Sequence, residues 1–69
     1  MTPDLLKAAG KALYGPRWQT ALAADLEVAD RTVQRWAAGD SPIPEGVSGD
    51  VWLLLNWRGV EIADLLKHF

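Results

Sequence analysis

The sequence predicts an all-α domain, and three observations point to it. Turn-forming residues, Gly15-Pro16, Gly39 and Pro42 through Pro44 among them, cut the chain into short blocks. Within the blocks, apolar residues recur at helical spacings of three and four. Nowhere do apolar and polar residues alternate for long enough to suggest a strand. At 69 residues, 49% hydrophobic, 23% charged and without cysteine, the chain reads as one domain, residues 1–69. The expected architecture is a compact four- or five-helix bundle. No disulfide framework or thiolate zinc site can reinforce it, so packing or a partner chain must hold it together.

Each element has its own signal. Thr2 is placed as an N-cap with Pro3 at the first helical position and Asp4 at the positive helix end; Leu5, Leu6, Ala9, Ala12 and Leu13 form the apolar stripe of a first helix ending near Tyr14. Gly15-Pro16 stops it. Trp18, Leu22 and Leu26 follow at i, i+4, i+8 with Ala23 beside them, giving a second helix from about Arg17 to Leu26. Glu27-Val28-Ala29 interrupts the pattern, and Val33, Trp36 and Ala37 mark a third helix over roughly Asp30–Ala38, ended by Gly39. Asp40 through Ile43 reads as extended, because residues before proline are pushed out of the helical region, and Pro44 is positioned to open a fourth helix. From Val51 to Phe69, eleven of nineteen residues are large and apolar. Arg58-Gly59 either ends a helix there, with a fifth after it, or lies inside one longer helix at a cost of about 1 kcal/mol for the glycine.

Two short helices joined by a three- or four-residue turn, the second followed by glycine, make a helix-turn-helix arrangement over about residues 18–39. Ala23 supplies the small residue needed where the helices cross, Val28 the buried residue of the turn, and Val33 and Trp36 the inner face of the second helix. On that helix Arg31, Gln34, Arg35 and Ala38 lie at about 0°, 300°, 40° and 340°, whereas Val33, Trp36 and Ala37 lie between about 140° and 240°. An outward face of two arginines and a glutamine suits the major groove, since Arg pairs with guanine O6/N7 and Gln with adenine N6/N7. Arg17, Gln19, Thr20 and Thr32 flank it as candidate phosphate contacts.

The segment Gln19–Gly39, QTALAADLEVADRTVQRWAAG, resembles the helix-turn-helix of the lambda-repressor and Cro-like DNA-binding regulators. The flanking LYGPRW and PIPEGV look like short repressors of bacteria and their prophages. The resemblance implies a five-helix domain that reads operator DNA through Asp30, Arg31, Gln34 and Arg35, with Gln19 on a phosphate. This chain departs from the pattern at Glu27, where the family usually has glycine, and at Ala29, where it often has a serine N-cap. A positive φ at Glu27 would cost about 1–2 kcal/mol over glycine, and the alanine cap forfeits roughly 1 kcal/mol.

Charge argues against a broad electrostatic footprint. Seven Lys+Arg against nine Asp+Glu leave −2, and within residues 17–39 three arginines balance Asp25, Glu27 and Asp30. Non-specific DNA affinity should be weak. Residues 40–69 carry a net −3 and should face away from DNA. The greasy segment 44–69 is expected to complete the core with one face and to form a homodimer with another, through Trp52, Leu55 and Phe69. A twofold dimer would place two recognition helices about 34 Å apart on a near-palindromic double-stranded operator.

Catalysis has little to work with: one histidine, His68, two serines, Ser41 and Ser48, and no phosphate-cradling glycine loop. Asp40, Glu45 and Asp50 have no ligand-loop spacing, so neither metal nor cofactor is expected, nor a small-molecule substrate. The longest apolar run, Val51–Leu55, is too short for a membrane span, and residues 1–15 lack a signal-peptide centre, so a cytoplasmic location is expected, which the resemblance makes the bacterial cytoplasm or nucleoid. The expected function is therefore sequence-specific transcription regulation, most simply repression by operator occupancy. The rival is a protein-interaction module on the same scaffold, a phage-encoded inhibitor or antitoxin-like factor, favoured by the acidic balance and four tryptophans.

Overall fold

A computed structural model describes all residues, Met1–Phe69. The chain is all helical: α1 (Pro3–Tyr14), a 3₁₀ turn (Gly15–Arg17), α2 (Trp18–Leu26), α3 (Asp30–Ala38) and α4 (Glu45–Leu66). The Thr2 hydroxyl accepts from the Leu5 N–H at 3.1 Å, capping α1. Gly15 closes that helix at φ 79°, where a glycine carries no penalty, and Pro16 sits in the 3₁₀ turn that re-aims the chain. The second helix thus starts at Trp18, one residue later than its apolar spacing indicates, because Arg17 still belongs to the turn.

Ten buried residues from all four helices form the core, with Leu6, Leu22, Val33 and Val51 the most completely enclosed. Trp18 and Trp36 are among them at 4% and 5% exposure, which makes both tryptophans part of the scaffold. The buried stripe of α1 is Leu6, Ala9, Gly10 and Leu13; Leu5 and Ala12, expected in it, are exposed because the stripe is centred one residue further on. Gly10 is the close-packing point. A Cβ there would run into the indole ring of Trp18, so α1 and α2 approach each other through a glycine.

The C-terminal third differs from expectation in two ways. Pro44 is the N-cap rather than the first helical residue, and α4 runs unbroken through Gly59. The five-helix arrangement is therefore corrected: the fifth helix is the second half of α4, because a single glycine's cost does not offset the backbone bonds that continue through it. Nor does the whole of residues 44–69 complete the core. Only Val47 and Val51 are buried, with Leu54 half-buried, and every residue from Leu55 onward is exposed. The cause is a mismatch of lengths. Helix α1 spans roughly 18 Å against roughly 33 Å for α4. The two run side by side from Ala9 beside Val51 to Arg58, whose guanidinium donates to the Leu13 carbonyl at 2.9 Å. Past that bond α1 ends and α4 projects alone, giving overall extents of 43 × 22 × 21 Å.

Candidate nucleic-acid interface

The α2–α3 pair is held by its turn. Glu27 adopts left-handed geometry, φ 57° and ψ 42°, and its N–H bonds back to the Ala23 and Ala24 carbonyls; the Val28 N–H reaches the Ala23 carbonyl at 3.0 Å. Val28 tucks its side chain against the core between the two helices. Ala29 is the N-cap of α3 in extended geometry and offers no side-chain oxygen. The first amides of α3 are therefore left without a side-chain cap at the positive end of the helix dipole. Gly39, φ 79°, closes α3 with its N–H on the Arg35 and Trp36 carbonyls.

This frame sorts the side chains of α3 by face. Val33, Trp36 and Ala37 are buried, whereas Arg31, Gln34, Arg35 and Ala38 are exposed together on the opposite face. Thr32 is half-buried at the edge. Arg17, Gln19 and Thr20 line one shallow concavity at the start of α2 together with Pro16 and Ala24. Thr20 also donates its hydroxyl to Asp30 at 3.1 Å, tying the start of α3 to α2. Asp30 thus has a structural partner within the chain, and its carboxylate is oriented by Thr20. Neither residue's periodicity announces that bond, since ten positions separate them.

A second bond was equally invisible in the sequence. The Tyr14 hydroxyl donates to Asp25, linking the end of α1 to the end of α2. Burial, with the hydrogen bond to and the negative charge of Asp25, pushes the Tyr14 phenol up to about 12 against the opposing pull of Arg58. Tyr14 therefore stays protonated as a donor and braces the scaffold behind the exposed face. Trp52 and Leu55 lie on α4 and Phe69 three residues past its end, at 62%, 38% and 103% exposure.

No group of histidine, cysteine or carboxylate side chains is placed to hold a metal ion, and no helix is long and apolar enough to cross a membrane. No family model, curated protein or solved structure matches the chain.

Proposed function

We propose that the protein is a sequence-specific double-stranded DNA-binding transcription regulator of the helix-turn-helix type, reading its operator with the exposed face of α3. The observation that carries this reading is the clean division of a nine-residue helix: Arg31, Gln34 and Arg35 point outward together while Val33, Trp36 and Ala37 anchor it from behind. Arg31 and Arg35 contact base edges, Gln34 contacts a base or a bridging water, and Asp30 accepts from a cytosine N4 beside them. Arg17, Gln19 and Thr32 fix register on phosphates, helped by the uncapped first amides of α3, while Thr20, whose hydroxyl proton is engaged by Asp30, reaches a phosphate only by giving up that bond. The helix pair is electrically neutral, so one copy binds weakly. Two copies on a near-palindromic operator supply the affinity, and occupancy of the operator represses by steric exclusion.

A second reading, a protein-interaction module, is favoured by one feature. Leu53 and Trp57 are 60% and 69% exposed beside a hollow rimmed by Asp25, Glu27 and Asp50, which repels phosphate rather than attracting it. Salt separates the two readings. Binding that neutralises Z phosphates gives a slope near −0.9Z in log K against log salt, and an interface buried around tryptophan shows little dependence. Arg31→Ala should cost about 1–3 kcal/mol of operator affinity, confined to one base position, with thermal stability unchanged. Equal affinity of mutant and parent for the operator removes Arg31 from the contact surface.

A further inference from the structure

From Trp52 onward α4 carries two apolar faces, and they are unequal. With Trp52 at 0°, Leu55, Gly59, Ile62, Ala63 and Leu66 all fall within an arc of about 100°, an unbroken stripe along the projecting half of the helix. The other face holds Leu53, Trp57 and Val60 and is then interrupted by Asp64 in the same row. The longer stripe also continues onto the body. Trp52 and Leu55 share a groove with Met1, Leu5 and Ala9 of the first helix and its lead-in, and Met1 and Leu5 are 38% and 56% exposed.

We infer that this stripe is the seat of a second copy of the chain, with the two α4 helices crossing near Gly59 and Ala63. Area supports it. Met1, Leu5, Trp52, Leu55, Ile62 and Leu66 together leave on the order of 650 Å² exposed, at or above the ~300–600 Å² of the largest patch on a typical monomer. A standard stable interface takes roughly 800 Å² from each partner, so these six residues supply most of one side, with Gly59, Ala63 and the polar rim to make up the rest. Shape supports it as well. Gly59 has open space around its Cβ position, and a glycine with an alanine four residues on lets two helix backbones approach closely between flanking Leu55, Ile62 and Leu66. The shorter face offers three residues before a carboxylate and cannot supply that area.

Pairing is measured without DNA, so although it gives the twofold half of the proposed function its partner surface, it stands or falls separately from the base contacts of α3. The full 69-residue chain is followed by sedimentation equilibrium over a micromolar dilution series, and a mass of twice 7.6 kDa is expected. Ile62→Lys with Leu66→Lys should yield monomer with helical circular dichroism retained, because neither residue is in the core. Leu53→Lys with Trp57→Lys should leave the dimer intact. Gly59→Leu should weaken pairing about tenfold or more by overpacking the crossing, although leucine is the better helix former. A monomeric parent chain, an assembly larger than two, loss of pairing in the Leu53/Trp57 variant, or unweakened pairing in Gly59→Leu each overturns the proposal.

Discussion

The two halves of α4 have similar apolar content and opposite fates. Val47 and Val51 are buried against α1 and the other helices, and residues from Leu55 onward touch little beyond one bond from Arg58 to the end of α1. The difference lies in what runs alongside, not in the residues themselves. A helix buries apolar surface only where another element is long enough to meet it, and α1 stops at Tyr14. The first half of α4 therefore belongs to the stability of one chain. Its second half adds little there beyond the Arg58 bond and is available for association.

That contrast predicts a graded set of effects on the unfolding of a dilute, monomeric chain. The largest comes from the core: Trp36→Ala should cost about 3–5 kcal/mol, whereas Trp57→Ala, on the projecting half, should fall within about 0.5 kcal/mol of the parent. Denaturant titration of the two variants side by side measures the difference, and comparable losses would mean that the projecting half is packed after all. Next comes Gly10→Ala, which places a methyl group inside the ring of Trp18 and should cost about 1–3 kcal/mol despite alanine's better helix propensity. A neutral or stabilised variant would show that α1 and α2 stand further apart than described. Smallest is Glu27→Gly. Relief of the left-handed turn at φ 57° should stabilise the chain by about 1 kcal/mol, visible as a melting point higher by roughly 4–8 °C. A lower melting point would place the turn in a different conformation.

How much of this was readable beforehand depended on how local the cause was. The limits of α3 follow from Ala29, Gly39 and the i, i+3, i+4 spacing of Val33, Trp36 and Ala37, and its outward face follows from the same periodicity. Glu27 in the glycine position of the turn marked the one non-glycine residue with positive φ. Non-local causes stayed hidden. Periodicity does not pair Tyr14 with Asp25, Thr20 with Asp30 or Arg58 with the Leu13 carbonyl, because each bond joins separate elements. It also does not say which stretch of a uniformly greasy segment meets the core. That required the length of α1 relative to α4; Gly59 is an interior helix residue rather than a break because the helix continues through it at only a single glycine's cost.

The central claim is that the outward face of α3 reads duplex DNA. The most direct test exposes the purified chain to a random duplex library, recovers the bound fraction over several rounds at low salt, and sequences it. The account predicts an enriched motif with twofold symmetry and half-sites about one helical turn apart, lost when Arg31, Gln34 and Arg35 are replaced together. No enrichment at low salt would contradict it, and would leave the exposed tryptophans of α4 as the surface that carries the protein's function.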